Sequence, residues 1–189
     1  MNVFDFDNTI YDGESTLDMF FYYMVRKPWL FKMLPTVLKA FSRYKKGEVT
    51  LAEALELYAP LIEKDILRVV DFENDPKIFW DTHMKKIKPI YNGLRSDDDL
   101  IITASPDFSV EEICKRLKIK SFLASKINRK TGRIEFANLR ENKIKAFKEQ
   151  YGNAEIENFY TDSPENDAPL IEMANHAFVV KKNKVIKIK

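Results

Sequence analysis

The chain has 189 residues, 45% of them hydrophobic, enough for one domain, or one domain with a sizeable insertion, around a real core. Lysine and arginine number 31 against 29 acidic residues, and a net charge of +2 is too balanced to mark nucleic acid as an obligate partner. The single cysteine, Cys114, excludes an internal disulfide and fits a reducing compartment.

The N-terminus predicts a short strand through Val3 and Phe4 that breaks into Asp5-Phe6-Asp7-Asn8-Thr9. These aspartates interrupt any apolar leader. No stretch approaches the roughly 18 uncharged apolar residues of a membrane span, so a soluble, cytoplasmic protein is expected. On an extended strand residues i and i+2 share a side. A turn straight after Asp5 then gathers both carboxylates and the Asp7 carbonyl at the strand's C-terminal end, where open α/β sheets place ligands. Such a pair suits a hard cation such as Mg²⁺, and one carboxylate can serve as a nucleophile towards phosphorus. From this run alone, a pair of turn-forming aspartates capping a helix reads equally well.

From Glu14 to Pro89 the text is helical throughout, with Gly47 its one glycine and Pro28, Pro35, Pro60 and Pro76 marking helix starts or bends. Met19 to Gly47 carries seven basic residues (Arg26, Lys27, Lys32, Lys39, Arg43, Lys45, Lys46) and no acidic one. Aromatic and aliphatic residues, among them Phe20, Phe21, Tyr22, Tyr23, Trp29, Leu30 and Phe31, are interleaved with them. A basic, aromatic amphipathic segment can lie on an anionic membrane surface. It is also the ordinary solvated side of a helical bundle.

Beyond Ile90 strands and helices alternate. Asp99 to Thr103 predicts a buried strand, and Ser109 to Leu117 a helix with Ser109 as N-cap and Cys114 on its apolar face. Phe122–Asn128 and Arg133–Phe136 predict a hairpin turned at Lys130-Thr131-Gly132. Asn142–Tyr151 predicts a helix, Ile156–Thr161 a strand, Pro169–Ala174 a short helix and Ala177–Val180 a last core strand. Lys181–Lys184 can turn that strand into an edge hairpin guarded by lysines. The alternation implies a mostly parallel sheet with helices on both faces. The helical block is then an insertion, giving a core of residues 1–13 and 90–189 and a helical cap of residues 14–89.

Three further places fall next to Asp5 in this architecture. Thr103 ends an apolar strand, and its hydroxyl and the backbone of Ala104 and Ser105 can meet a phosphoryl oxygen. Lys143 begins a helix, where a cation opposes the dipole unless an anion lies nearby. Asp162 and Asp167 follow a strand, in a loop able to supply a metal ligand and a carboxylate that orients bound water or Lys143. Each has a plain alternative: a strand-ending threonine, a surface lysine, turn-forming acids.

Taken in order, these motifs resemble the haloacid dehalogenase (HAD) superfamily, specifically its phosphoserine-phosphatase-like branch with a helical cap between motifs one and two. Asp5-Phe6-Asp7-Asn8-Thr9 is similar to motif one, Thr103 to motif two, Lys143 to motif three, and Asp162 with Asp167 to motif four. The resemblance spans the chain and implies a three-layer, Rossmann-like α/β core. It further implies an Mg²⁺-dependent phosphatase in which Asp5 is the nucleophile and Asp7 the general acid/base. Thr103, Ala104, Ser105 and Lys143 would hold the phosphoryl group, and the metal would lie among Asp5, Asp7, Asp162 and Asp167. Two departures stand out. Thr161 replaces the glycine that usually precedes the first motif-four aspartate, and the loop Asn138-Leu139-Arg140-Glu141 lacks the glycine common before the lysine. Asn166 occupies the place of the second acid in the shorter form of motif four.

The implied substrate is a small or lipid-linked phosphate monoester. The cap, the Thr103–Pro106 turn and the Asp162–Pro169 loop also resemble phosphatidylglycerophosphatase C, a lipid-phosphate phosphatase of the same branch. Glu14 falls where phosphoserine phosphatases bind the substrate amine, with Arg43 a candidate for the carboxylate, so phosphoserine is the alternative substrate. A non-catalytic module that docks a partner or membrane through its basic cap is the alternative outside enzymes. His83 and His176 have no metal-ligand spacing.

Overall fold

The computed structural model describes residues 1–49, 53, 60 and 63–189. Among these, one sheet contains β1 (Asn2–Phe4), β2 (Leu100–Pro106), β3 (Ser121–Ile127), β4 (Ile134–Phe136), β5 (Ile156–Thr161), β6 (Ala174–Lys181) and β7 (Lys184–Lys187), in the order β4-β3-β2-β1-β5-β6-β7. The five inner strands pair in parallel, and the edge strands β4 and β7 close hairpins.

β1 is only three residues long yet lies at the centre, because both of its faces are apolar. Side-chain alternation sends Val3 to one layer with Leu100, Ile102 and Phe159. Phe4 goes to the other with Ile101 and Tyr160, stacking on Tyr160 at 4.5 Å between ring centroids. Two helices, α6 (Glu141–Tyr151) and α7 (Ala168–Met173), bring Phe147 and Leu170 to the Val3 layer. The Phe4 layer is covered by α5 (Asp107–Leu117) and by helices inserted between β1 and β2. The result is the expected three-layer α/β core with a mostly parallel sheet.

The insertion comprises α1 (Ser15–Arg26), a 3₁₀ turn (Pro28–Met33), α2 (Leu34–Lys45), helical residues 63–69 and α3 (Asp75–His83), and α4 (Ile90–Leu94) follows it before β2. Pro28, Pro35 and Pro76 each occupy a first turn, where a missing N–H costs no hydrogen bond. The helical text at 50–52, 54–59 and 61–62, on either side of Pro60, falls outside the described residues. The inserted helices share one apolar cluster with the core. Trp80 of α3 is fully buried against Phe6, Tyr11 and Phe79, and its indole N–H donates to the Ser109 carbonyl at 2.9 Å. No helix among the described residues is long and apolar enough to cross a membrane.

Two elements differ from the sequence expectation. α5 starts at Asp107, directly after Pro106, so Ser109 is not the N-cap but a buried residue of the first turn. Proline's fixed φ lets the helix begin immediately after it. β6 starts at Ala174, three residues before the expected Ala177, because Ala174 and His176 pair along β5 while the side chains of Asn175 and His176 stay outside the core. Both hairpins form as expected: Asn128 Oδ1 accepts the N–H groups of Lys130 and Thr131 at 2.9 Å each, and the β6–β7 turn uses Lys182 at φ +56°.

Candidate active site

Because β2 and β5 flank β1, residues at their C-terminal ends converge on one edge of the sheet, at the point where connections leave β1 in opposite directions. Asp5 follows β1, its N–H still bonded to the Tyr160 carbonyl at 2.9 Å. Thr161 closes β5, and Asp162 comes next. On β2 the register slips: Ile102 faces Leu123 but Pro106 faces Ser125, four steps against two. Thr103, Ala104 and Ser105 form the resulting bulge towards Asp5 and Asp7, and the Ser105 N–H donates to Thr103 Oγ1 at 3.1 Å.

Lys143, on the first turn of α6, donates to Asp5 Oδ1 at 2.9 Å and to Asp167 Oδ1 at 2.7 Å. The three side chains are 12%, 8% and 2% exposed for Asp5, Lys143 and Asp167. Asp167 Oδ2 accepts the Thr161 hydroxyl at 2.7 Å, so both of its oxygens are engaged. Thr161, in the place of a glycine, thus fixes the motif-four acid. Asn166 beside it instead donates to Ser163 Oγ at 2.8 Å. Burial works against the Lys143 charge, but Asp5 and Asp167 more than offset it and hold the ammonium's pKa above the ordinary lysine value. Burial pushes the Asp5 carboxyl well above the usual carboxylate range; Lys143 pulls it back, and Asp167, Asp162 and Asp7 push it up again. One ammonium serves a surplus of carboxylates.

Asp7 has a different company. Its Oδ1 accepts the backbone N–H of Ser15 at 2.5 Å, and its Oδ2 the Ser105 hydroxyl at 2.7 Å. Ser15 is the first residue of α1, so the helix's positive end faces this carboxylate. The hydroxyls of Ser15 and Thr16 each lie 3.0 Å from Ser105 Oγ. Burial raises the Asp7 pKa, while the bonds from Ser105 and Ser15 oppose the rise. Asn8, with φ +56°, turns the chain, and its side chain donates to Glu14 Oε1 at 2.9 Å. Arg43 pairs with Glu48 at 3.6 Å, near the end of α2.

The family model of the haloacid dehalogenase-like hydrolases matches residues 3–172. The chain belongs to this family. Among solved structures, this hydrolase is similar to a protein of unknown function from Bordetella pertussis Tohama I, with 20% identity, 94% of this chain and 87% of that one covered, and a TM-score of 0.73. It is also similar to a phosphoserine phosphohydrolase-like protein from Francisella tularensis subsp. tularensis SCHU S4, at 17% identity, 97% and 88% coverage and a TM-score of 0.65. A phosphoserine phosphatase described as a phospho-aspartyl intermediate analogue aligns at 17% identity, 93% and 83% coverage and a TM-score of 0.53. At these identities the likeness is one of fold. No curated protein sequence matches the chain.

HAD-like hydrolases generally use Mg²⁺, and the donor set of this one fits it. The groups around Asp5 are oxygen donors, as a hard cation requires, and their negative charge exceeds that of Lys143. Among the described residues no three His, Cys, Asp or Glu side chains form a ready-made metal group. A cation here would therefore rest on the Asp5 and Asp162 carboxylates and the Asp7 main-chain carbonyl, since Asp167 is engaged by Lys143 and Thr161.

Sequence reasoning passed over several residues that shape the hydrolase's site. Asn138, fully buried, donates through Nδ2 to the Thr103 and Leu123 carbonyls at 3.0 and 2.9 Å, tying the loop before α6 to the β2 bulge. Its one sequence signal is a polar residue between Ala137 and Leu139. Ser15 and Thr16 carry none, since their role depends on where α1 starts.

Proposed function

We propose that this hydrolase is a cytoplasmic phosphatase that cleaves a phosphate monoester through a covalent intermediate on Asp5. The observation that carries the reading is the pairing of Asp5, held by a buried lysine, with a second carboxylate two residues on that has no ionic partner among its hydrogen bonds. An Asp5 oxygen attacks phosphorus as the ester P–O bond breaks, and protonated Asp7 gives its proton to the departing alkoxide. Water then attacks phosphorus, Asp7 takes up its proton, and the Asp5–phosphorus bond breaks to release inorganic phosphate. The raised Asp7 pKa favours the protonated form that the first step needs.

Lys143 has three N–H donors, and Asp5 and Asp167 take two; the third is left for a phosphoryl oxygen. Thr103 accepts the Ser105 N–H and keeps its own proton to donate. Mg²⁺, when held by Asp5, Asp162 and the Asp7 carbonyl, would neutralise charge between the phosphoryl group and its nucleophile.

Residues 14–89 act as the cap that selects the substrate. A lipid-linked phosphate is favoured by exposed apolar side chains next to basic ones: Val25 is 76% and Phe31 53% exposed, beside Arg26 and Lys32. Phosphoserine is the second reading, favoured by Glu14 at the start of α1 beside Asn8. Phosphate release from phosphoserine, sugar phosphates, nucleotides and phosphatidylglycerophosphate in mixed micelles, with and without Mg²⁺, tests both. Metal-dependent release that vanishes in Asp5→Asn is expected, strongest on the micellar lipid. Release that persists in Asp5→Asn, or none from any ester, overturns the mechanism.

A further inference from the structure

One buried cation has no part in the chemistry described so far. Lys88 is 5% exposed and lies on the segment that returns from the helical insertion to the sheet. Its backbone is fixed on both sides, with its N–H on the Ile10 carbonyl at 2.8 Å and its own carbonyl accepting the Tyr91 N–H at 3.1 Å. Its ammonium donates to the main-chain carbonyl of Asn8. Among the described residues no carboxylate hydrogen-bonds it. Burial pushes its pKa down, and Asp12 and Asp162 pull it part of the way back, which puts both acids within electrostatic range.

A buried ammonium without a bonded counter-ion is expensive, and a methionine would fill the same space at lower cost. What Lys88 holds is therefore informative. Asn8 follows Asp7 directly and adopts the left-handed conformation, uncommon for a residue other than glycine. Its N–H donates to the Gly13 carbonyl at 3.0 Å, its side chain to Glu14 at 2.9 Å, and its carbonyl accepts Lys88. The turn that aims the Asp7 side chain and carbonyl is thus held from both segments that join insertion and core.

We propose that Lys88 is a positioning residue for the phosphatase chemistry: it clamps the Asn8 carbonyl, and with it the turn that aims Asp7. The inference rests on the phosphatase reading. Lys88→Met keeps the aliphatic bulk and removes the donor and the charge; Lys88→Arg keeps both. In Lys88→Met kcat falls about 10- to 100-fold with KM nearly unchanged, because a small misplacement of Asp7 acts on the reacting state. Lys88→Arg recovers part of the loss. Hydrogen exchange of the turn that follows Asp7 is about tenfold faster in Lys88→Met, since the Asn8 carbonyl has lost its donor. Lys88→Leu, which also lacks the donor, carries the same measurement if the methionine variant does not fold.

Wild-type turnover matched by Lys88→Met overturns this inference and leaves the phosphatase standing. Equal losses in Lys88→Met and Lys88→Arg, with exchange of the turn unchanged, reduce Lys88 to a structural residue. If the wild type releases phosphate from no ester, the phosphatase reading fails, and hydrogen exchange still decides whether Lys88 holds the turn after Asp7.

Discussion

Asp5 and Asp7 stand two residues apart, but their surroundings are built from different parts of the molecule. Asp5 is held by the core alone: Lys143 from α6, braced by Asp167 and Thr161 at the end of β5. Asp7 is held from both sides of the junction, by Ser105 on the β2 bulge and by the first N–H of α1 in the insertion. The proposed nucleophile therefore has a fixed setting and the proposed acid/base a conditional one. Any shift of α1 changes the hydrogen bonding and the proton affinity of Asp7 while leaving the Asp5–Lys143 pair in place.

The sharpest test separates the two carboxylates by chemistry. Asp5→Asn removes the nucleophile and abolishes turnover, a loss of about 10⁴-fold or more. Asp7→Asn loses about 10²- to 10⁴-fold, the usual worth of a general acid/base, and retains phosphate on Asp5 because water is no longer activated. Intact-mass spectrometry after quenching detects that phosphoenzyme, and its absence from a slow Asp7→Asn enzyme would remove the acid/base assignment.

The core setting breaks most sharply at Lys143. Lys143→Met leaves Asp5 and Asp167 buried without their cation, which costs about 3–5 kcal/mol. Since the folded pKa of Lys143 is raised, its contribution is complete at neutral pH and lost only as pH rises through that value. The Asp5 pKa is raised as well, so protonation favours the fold, and the variant regains stability on acidification. Denaturant unfolding at pH 5 and pH 8 measures the difference; an equal loss at both would contradict the charge argument.

The smallest effect belongs to the conditional side. Ser105 Oγ stabilises the Asp7 carboxylate, so Ser105→Ala raises the Asp7 pKa further. The limb of the kcat–pH profile that reports Asp7 moves to higher pH, with the limit at optimum pH little changed. A profile that keeps its position would place Asp7 outside the influence of the bulge.

The parts of the fold legible in the sequence share a physical basis. β1, β2 and β5 are short apolar runs whose two faces are both buried, and each ends in polar residues with nowhere to go but the sheet edge. Asp5, Thr103 and Asp162 are legible for that reason, and Lys143 because a cation at a helix start opposes the dipole. Ser109 reads as an N-cap because a serine before an apolar stripe looks the same whether it caps the helix or lies within its first turn, where its main-chain carbonyl takes the Trp80 indole N–H. The start of β6 is hidden because Ala174 and His176 pair through the main chain, and the polar Asn175 and His176 leave no hydrophobic trace. Nothing local to the sequence says that Trp80 packs against the core near Ser109.

By itself the sequence determined the layer architecture, the mostly parallel sheet and the ordered acids, hydroxyl and lysine of the site, because hydrophobic period and strand ends are local properties of the chain. Only the tertiary structure decided who holds whom. That Lys143 bridges Asp5 and Asp167, that α1 donates to Asp7, and that Lys88 reaches Asn8 are contacts across 138, 24, 8 and 80 residues of chain. Most of these partners are brought together by strand order and helix placement, which no local pattern encodes.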